Sequence, residues 1–384
     1  MSTSSSRVDR SRKRLLILFD GDFVGGAEVN YRFIIPELKE RGIDTLIAAP
    51  GGLALGSYFR HFGVPFDLAP PLRPYRSFRE GGRLSPVNIT ESFRSLRVNR
   101  RTLMAFIEES RPSWILSSSM ISHGLLALAA PEARGRGIAT VMFLQDIVDR
   151  TSALGAYGRA LDWIAARVDH VVTISDAVSS TLRRCPPTRT TRLYNPAPSE
   201  RPRRQRADGT LRVGLFARYT EWKGHQDFLK IAADCAAEPM EFVSFGAVSS
   251  DDRSYFESIV AGASRLPNAD AVKIREFTPD VLQAMADCDV VLHLSRLPEP
   301  FGRVLIEANW VGVPVLAYRG GGADELFESL ELGGELFENG DWRKMASRIK
   351  AGVLFSHTIP DLAALAPPRY ADRLIAVLES VRRQ

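Results

Sequence analysis

Two glutamates with seven residues between them, Glu299 and Glu307, form the part of this sequence best suited to do chemistry. The apolar run 290–294 and Ser295 precede them and predict a buried strand, and a helical pattern begins after Gly302. Glu299 is therefore expected in a strand-to-helix loop, and Glu307 about two turns into the helix. Two carboxylates in these places could bind the hydroxyl groups of one ligand.

The beginning of the same helix is suited to a phosphate. The backbone N–H groups of Phe301, Gly302 and Arg303 would point into the same space as the carboxylates, and helix N-termini attract anions. Carboxylates beside an anion site favour a ligand with several hydroxyls and a diphosphate, which describes a nucleotide sugar. The competing interpretation is a surface loop followed by an amphipathic helix with one solvated glutamate.

With its flanks, this segment resembles the Glu-x7-Glu signature of retaining GT-B glycosyltransferases of the large fourth family (glycosyl transferases group 1). The specific flanks are a strand with Ser295, Glu-Pro-Phe-Gly from Glu299, Glu-Ala from Glu307, and Gly-Val-Pro-Val at 312–315. The resemblance covers roughly residues 15–382. It implies an α/β chain with the GT-B fold, in which two Rossmann-like, doubly wound domains face a central cleft.

The same resemblance implies an activity. Such an enzyme moves a sugar from a nucleotide-diphosphate sugar to a glycan, glycolipid or other hydroxyl acceptor. Bacterial-type synthesis of cell-surface polysaccharide or glycoconjugate is the expected setting, with a glycan or lipid-linked acceptor as partner.

Arg218 and Lys223 follow the expected strand 212–216 and match the positions at which this family grips the donor diphosphate. The departing nucleoside diphosphate gains negative charge as the glycosidic bond breaks, so two fixed cations would lower the barrier. The resemblance gives catalytic roles to Arg218, Lys223 and Glu299. It implies that Glu299 holds a sugar hydroxyl and Glu307 the ribose hydroxyls. Transfer would be front-face, with the leaving phosphate oxygen taking the acceptor proton.

Glycine-rich turns complete the expected donor site. Gly25 and Gly26 precede Ala-Glu at a helix start and resemble the family's glycine loop, where backbone N–H groups approach the phosphate and the sugar. A plain tight turn is the alternative. Gly246 ends a strand whose exit is expected near the nucleobase. The glycines 320–322 form a further loop toward the cleft, and Glu325 follows them.

Gln145, Asp146 and His123 are the candidates on the acceptor side. Many family members have His-Asp or His-Glu where this chain has Gln145-Asp146, and His-x-His where it has the serines 117–119. A glutamine can hydrogen-bond a sugar hydroxyl but cannot act as a general base. His123 is either a substitute for those histidines or a packed structural residue.

Neither a metal nor a cofactor is expected. Asp20-Gly21-Asp22 spells the Asp-x-Asp motif of metal-dependent glycosyltransferases, but those enzymes have a single-domain fold and keep the motif well inside the chain. Asp287 and Asp289 more simply lead into a strand. Because cationic side chains can serve the diphosphate, no metal is needed. The expected nucleotide is UDP or GDP.

Short apolar runs alternate with helical patterns in both halves, which predicts parallel sheets covered by helices on both faces. The expected strands are 15–19, 45–49, 114–116, 139–143, 170–174, 212–216, 241–245, 290–294 and 314–317. A proline-rich stretch without apolar periodicity, 196–209, indicates a linker. The predicted organisation is a disordered basic tail (1–13), an acceptor-side domain (14–195), this linker, a donor-side domain (210–365) and a final helix (366–384) that returns to the first domain.

The formal net charge is +5, and the segment 73–101 carries a local excess of positive charge, with eight arginines against Glu80 and Glu91. Its arginines are Arg73, Arg76, Arg79, Arg83, Arg94, Arg97, Arg100 and Arg101. This segment could hold a polyanionic acceptor or an anionic membrane surface, or could be a solvated loop and helix. No nucleic-acid-binding motif accompanies it, so nucleic acid is not expected. Three separated cysteines and the lack of a membrane-spanning run favour a cytoplasmic protein. The basic segment could in addition place it on the inner membrane face.

Two other functions compete with sugar transfer. A nucleotide-sugar epimerase of the same fold would need acid–base groups near the anomeric carbon, and Gln145 in place of histidine argues against it. A binding protein without turnover is the other, and the intact set Arg218, Lys223, Glu299 and Glu307 argues against it. A dehydrogenase is excluded, because the Gly-x-Gly-x-x-Gly spacing is absent.

Overall fold

The computed structural model describes residues 12–21, 25–51, 53–74, 79–80, 83–84, 86–151, 155–205, 209–352 and 360–382. The chain forms two compact units. The first contains Met1–Pro196 together with Pro367–Gln384, and the second contains Ala197–Ala366.

Within the described residues, the first unit holds a seven-stranded parallel sheet in the order β3-β2-β1-β6-β7-β8-β9. Its strands are β1 (Lys13–Leu18), β2 (Ile43–Ala48), β3 (Asp67–Leu68), β6 (Trp114–Ser117), β7 (Ala139–Leu144), β8 (His170–Thr173) and β9 (Thr190–Arg192). A short antiparallel pair, β4 (Arg79–Glu80) and β5 (Arg83–Leu84), lies apart from it.

Helices of the first unit alternate with these strands. They are α1 (Gly26–Glu40), α2 (Leu53–His61), α3 (Pro86–Ser110), α4 (Met120–Gly135), α5 (Ala156–Arg167) and α6 (Asp176–Ser179). The Ser175 hydroxyl accepts a hydrogen bond from the Val178 N–H and so caps the beginning of α6.

The last helix of the chain, α13 (Pro367–Arg382), also belongs to the first unit. The indole N–H of buried Trp114 donates to the Leu378 carbonyl at 2.7 Å, and Arg41 bonds Asp372 at 2.5 Å. Both ends of the described chain therefore pack into one unit.

The described part of the second unit holds a six-stranded parallel sheet in the order β12-β11-β10-β13-β14-β15. Its strands are β10 (Leu211–Phe216), β11 (Met240–Gly246), β12 (Val272–Glu276), β13 (Val290–His293), β14 (Val315–Tyr318) and β15 (Gly334–Phe337). Its helices are α7 (His225–Asp234), α8 (Arg253–Ala263), α9 (Val281–Ala286), α10 (Arg303–Trp310), α11 (Gly322–Leu330) and α12 (Trp342–Lys350).

The central strands of both sheets are apolar runs buried on both faces, as parallel sheets require. Residues 15–18 of β1 and all of β13 are buried. All nine predicted strands are present, with ends shifted by one or two residues. The α/β, doubly wound fold class predicted from the sequence is thus confirmed for each unit.

Four strands of these sheets were not predicted: β3, β9, β12 and β15. All four end a sheet and carry polar or exposed side chains, and β9 and β3 are only three and two residues long. In β12, Val-Lys-Ile-Arg-Glu alternates in the way of an edge strand, which a search for continuous apolar runs passes over.

Candidate functional site

Lys223 and Glu299 come from neighbouring loops of the second unit. Lys223 ends a short 3₁₀ turn after β10, and Glu299 lies between β13 and α10. Strands β10 and β13 are adjacent, while the chain runs from β10 to β11 on the opposite side. The strand order therefore reverses between β10 and β13, and such a switch point at the carboxyl ends of strands is where open α/β sheets bind ligands.

The two side chains form a buried ion pair. The Lys223 ammonium contacts Glu299 Oε1, lies 3.4 Å from Ser295 Oγ and sits 4.0 Å from the centre of the Trp222 ring. The Ser295 hydroxyl also donates to Glu299 Oε1, and His293 Nε2 is 3.6 Å from the same oxygen. The side chains of Lys223, Ser295 and His293 thus all lie close to one oxygen, Glu299 Oε1.

Burial and charge act in opposite directions on these groups. Burial lowers the pKa of Lys223, while Glu299 opposes this shift and the charge of Arg218 adds to it. Burial alone would raise the pKa of Glu299, but His293, Lys223 and the hydrogen bond from Ser295 hold it below its usual value. Because burial lowers the pKa of His293 to about 4, this ring is neutral at pH 7. Lys223 is then the cation that keeps Glu299 ionised.

Glycines after β14 fix the backbone of Glu299. The Gly322 N–H donates to the Glu299 carbonyl at 2.7 Å, and Gly321 pairs with Glu299 in an isolated parallel bridge. At Gly321 the backbone has φ +64°, and a Cβ there would lie 2.3 Å from the Glu299 carbonyl oxygen. No other residue type fits this position without moving the loop, so the predicted triple-glycine loop positions Glu299.

Arg296 ties the same loop to the rest of the unit. Its guanidinium bonds the fully buried Asp227 of α7 at 2.7 and 2.8 Å. Its N–H donates to the Trp222 carbonyl at 2.7 Å, and its carbonyl accepts from the Asn339 side chain at 2.6 Å. The Tyr318 hydroxyl completes the shell around Asp227 at 3.1 Å. The loop that carries Lys223 and the loop that carries Glu299 are therefore joined through residue 296.

Glu307 lies in α10, one turn from its beginning rather than the expected two, because the helix begins at Arg303. Its carboxylate accepts from the Arg303 guanidinium at 2.6 Å, and both side chains are largely buried. Gly302 caps the helix with φ +90°, and the Phe301 side chain is buried. The helix N-terminus thus stands beside Glu299, as the spacing predicts.

The remaining donor-side candidates differ in exposure. Arg218 is exposed, in the turn after β10, and its charge acts on Lys223 as described. Gly246 is buried at the end of β11, where a Cβ would lie 1.8 Å from the Ala217 carbonyl oxygen. Gly246 therefore allows the loops after β10 and β11 to approach each other.

In the first unit, Gly25 is the N-cap of α1 and Gly26 its first residue. The Gly25 N–H donates to Glu28 Oε2 at 2.9 Å, which is the half of a capping box that the N3 glutamate supplies. A phosphate at this amide would have to displace a carboxylate. Burial raises the pKa of Glu28, and the charges of Asp20 and Asp146 raise it further.

Gln145 and Asp146 follow β7. The Gln145 amide is buried, donates to the Ser118 carbonyl at 3.3 Å and accepts from Asn30 at 3.5 Å. Asp146 remains accessible to solvent, but the surrounding protein and Asp20 raise its pKa. Of this pair, Asp146 is the one whose side chain can reach solvent.

His123 is a packed residue of α4. Its Nδ1 bonds the Ser117 hydroxyl at 2.7 Å, and only 1% of the residue is exposed. Complete burial lowers its pKa to about 3. Of the two interpretations given to His123, the structural one fits these contacts.

Some predicted features lie outside the described residues: 1–11 of the tail, Asp22 of the Asp-x-Asp motif, Arg76, and 206–208 of the linker. Over the ranges that are described, no three or more His, Cys, Asp or Glu side chains are grouped so that they could hold a metal ion. The helices seen there also include none long and apolar enough to cross a membrane.

Sequence reasoning overlooked Trp222, Asp227, His293 and Arg296 as parts of this site. Trp222 directly precedes the predicted site residue Lys223, and His293 lies next to the end of the predicted strand 290–294. Their positions in the sequence could therefore have identified both. Asp227 and Arg296 are 69 positions apart and meet only through the fold.

Two family models match the chain. One described as "Glycosyl transferases group 1" matches residues 198–353, and one described as "Glycosyltransferase Family 4" matches residues 24–201. Together they span most of both units. A comparison with curated proteins gave no significant match.

Solved structures with the same fold cover nearly the whole chain. HepE from Anabaena, solved with UDP and glucose, has a TM-score of 0.69 and 21% identity over 97% of this chain and 98% of its own. Sucrose-phosphate synthase from Thermosynechococcus elongatus has a TM-score of 0.67 and 15% identity over 97% of both chains. The lipopolysaccharide outer core galactosyltransferase WaaB has a TM-score of 0.67 and 15% identity over 96% of this chain and 99% of its own. The fold of this chain is therefore GT-B.

Proposed function

We infer from the GT-B fold and the two family matches that this chain is a GT-B glycosyltransferase, and we propose that it transfers a sugar with retention of anomeric configuration from a nucleotide-diphosphate sugar. The observation that carries the proposal is the meeting of Lys223 and Glu299 at the switch point of the second sheet, beside the N-terminus of α10. A cation, a carboxylate and a helix N-terminus are together suited to a diphosphate and a sugar hydroxyl.

Each group then has a role that its position supports. Lys223, exposed Arg218 and the N-terminal amides of α10 stabilise the charge that develops on the leaving diphosphate. Glu299, kept ionised by Lys223, accepts a hydrogen bond from a sugar hydroxyl. Glu307 accepts from the ribose hydroxyls and is held in place by Arg303.

In this mechanism the bond between the anomeric carbon and the phosphate oxygen breaks while the acceptor oxygen binds on the same face of the sugar. The leaving phosphate oxygen takes the acceptor proton, so no histidine base is required. The buried and neutral state of His123 is compatible with such a scheme. We propose that the reaction needs no metal, because the diphosphate is met by side-chain and backbone donors.

UDP and GDP are the nucleotides to test first, and the UDP-bound HepE structure supports placing UDP-sugars at the head of the panel. We propose a glycan or lipid-linked acceptor in the synthesis of cell-surface polysaccharide. Asp146 and Glu28 in the first unit carry carboxylates with raised pKa that could bind acceptor hydroxyls.

The test is a turnover assay with UDP- and GDP-hexoses, in which release of the nucleoside diphosphate is followed with and without EDTA. We expect slow donor hydrolysis with one nucleotide class, unchanged by EDTA, and an α-configured product by NMR when a sugar acceptor is supplied. A β-configured product would exclude retention. Absence of release with any donor, despite nucleotide binding, would favour a binding protein.

We further propose that α3 contacts an anionic membrane surface. Arg94, Arg97 and Arg101 are exposed and lie three and four positions apart, so they share one face of the helix. Arg100 instead pairs with Glu132 on α4 and donates to the Leu128 carbonyl. Three arginines on one face could attract anionic lipid by about 1 kcal/mol each near the surface.

Vesicle flotation tests this surface. Wild-type protein is expected to float with phosphatidylglycerol vesicles and not with phosphatidylcholine vesicles. The triple variant Arg94→Glu, Arg97→Glu, Arg101→Glu should stay in solution. The control is a second triple variant with the same change of charge elsewhere in the unit, and it should still float: Arg134→Glu, Arg136→Glu, Arg159→Glu. Flotation of the α3 variant would contradict the assignment.

A further inference from the structure

We propose that Glu299 is an internal counter-ion that competes with the nucleoside diphosphate for Lys223, and thereby promotes release of the nucleotide after transfer. This inference rests on the proposed function, because it assumes that the diphosphate binds at Lys223. It adds a second role to Glu299 beyond the recognition of the sugar.

The starting observation is that Lys223 already has a complete set of partners. Its ammonium contacts Glu299 Oε1, stands 3.4 Å from the Ser295 hydroxyl and lies over the Trp222 ring at 4.0 Å. Only 17% of the Lys223 side chain and 9% of the Glu299 side chain are exposed. A diphosphate therefore cannot simply add to a solvated cation and must share or replace the carboxylate.

The same pairing occurs at the second glutamate. Glu307 is bonded by Arg303 at 2.6 Å, with 13% and 15% of the two side chains exposed. Both carboxylates of the Glu-x7-Glu segment are thus neutralised by a cation from the expected donor site. The positive charge that the site offers to an incoming anion is reduced accordingly.

Sharing Lys223 has an energetic consequence. A diphosphate brought to this ammonium also comes close to the Glu299 carboxylate, and like charges at short distance in a largely buried site repel each other. An intact donor offsets this repulsion, because its sugar supplies a hydroxyl that donates to Glu299. After the sugar has been transferred, that hydroxyl is gone and the repulsion remains. The carboxylate then returns to Lys223, and the free nucleotide is held less tightly than the donor.

The test compares nucleotide binding of Glu299→Gln with that of the wild type by isothermal titration calorimetry, with UDP, GDP and inorganic pyrophosphate as probes. The substitution keeps the size and removes the charge. Glu335→Gln is the matched control. Glu335 lies on β15 of the same unit and pairs with Arg348 at 2.7 Å, and its substitution changes the net charge by the same amount.

We expect the nucleoside diphosphate that the wild type binds to bind about three- to tenfold tighter to Glu299→Gln, a range set by the strength of a partly buried ion pair. Pyrophosphate should also bind more tightly to Glu299→Gln than to the wild type. Glu335→Gln should bind each probe with the same affinity as the wild type. The turnover number with the intact donor should fall in Glu299→Gln, since a sugar contact is lost. Glu299→Ala, with its melting temperature recorded, repeats the comparison without an amide at this position.

The outcomes separate this inference from its premise. If the wild type binds one of the probes and neither Glu299 variant binds it more tightly, the counter-ion role is wrong while the proposed donor site stands. If the wild type binds none of the probes, the donor site itself is wrong, and the inference falls with it.

Discussion

At the scale of single residues, the main feature of the candidate site is one buried ion pair. Lys223 and Glu299 are stabilised only as a pair, because either charge alone would be buried without compensation. Lys223→Ala should therefore lower the free energy of unfolding by about 3 kcal/mol at pH 7, a cost typical of breaking a buried pair from one side. Urea titration measures this change.

Two controls accompany that substitution. Lys344→Ala removes a lysine whose side chain is 73% exposed in its pair with Asp341, and it should leave the unfolding free energy nearly unchanged. The double variant Lys223→Ala, Glu299→Gln should recover part of the loss, because no charge is then left unpaired. Equal effects of Lys223→Ala and Lys344→Ala would show that the pair is not buried as described.

At the scale of elements, the loops after β10, β13 and β14 form one assembly. Gly321 is its tightest point, since a Cβ there would lie 2.3 Å from the Glu299 carbonyl oxygen. Gly321→Ala should cost about 2 kcal/mol more than Gly340→Ala, which has φ +87° but meets no atom within 4 Å. Both substitutions place a side chain at a positive φ, and Gly321 adds the contact with Glu299 to a backbone conformation, φ +64° and ψ −130°, that disfavours a Cβ. Urea titration of both variants measures the difference. Equal costs would mean that the Glu299 loop does not depend on this contact.

Arg296 is the second residue, after Gly321, that holds these loops in place. Arg296→Met removes the guanidinium bonds to buried Asp227 and leaves the Glu299 loop held at residue 296 by backbone contacts alone, so turnover should fall by at least about tenfold. Amide exchange of residues 295–301 should accelerate in the same variant. Arg348→Met, which breaks an ion pair on α12 of the same unit, should leave both measurements unchanged. Unchanged exchange in Arg296→Met would show that the loop is held by other contacts.

The sequence predicts more at the level of elements than at the level of contacts. Central strands such as β1 and β13 are apolar runs, so they were found, and the spacing of Glu299 and Glu307 placed both near the beginning of α10. Edge strand β12 was missed because its side chains alternate. The Asp227–Arg296 bond and the pairing of Lys223 with Glu299 join residues 69 and 76 positions apart, and no local pattern encodes that distance.

At the scale of the whole molecule, each unit buries neutral histidines. Burial lowers the pKa of His123 in the first unit to about 3, and of His225 and His293 in the second to about 4. In the unfolded chain these groups take up protons near pH 6.5. Their contribution to stability is therefore complete above pH 6.5 and is lost as the pH falls toward 4.

Each such histidine should steepen the fall of the unfolding free energy by about 1.4 kcal/mol per pH unit between pH 6 and pH 4. Glu28 and Asp146 act in the opposite direction, since their raised pKa favours the folded state at low pH. The contribution of one histidine is therefore measured by comparing the slope of the unfolding free energy against pH in a variant with the slope in the wild type. His123→Gln should reduce the slope by that amount. An unchanged slope in His123→Gln would contradict the burial of His123.

The central claim is that the second unit binds a nucleoside diphosphate at Lys223 and Glu307, and calorimetric titration of UDP, GDP and ADP tests it most directly. We predict that one of these nucleotides binds the wild type and raises its melting temperature, and that both effects are lost in the double variant Lys223→Ala, Glu307→Ala. Equal binding to the wild type and the double variant would place the nucleotide elsewhere. Absence of binding by all three would contradict the account.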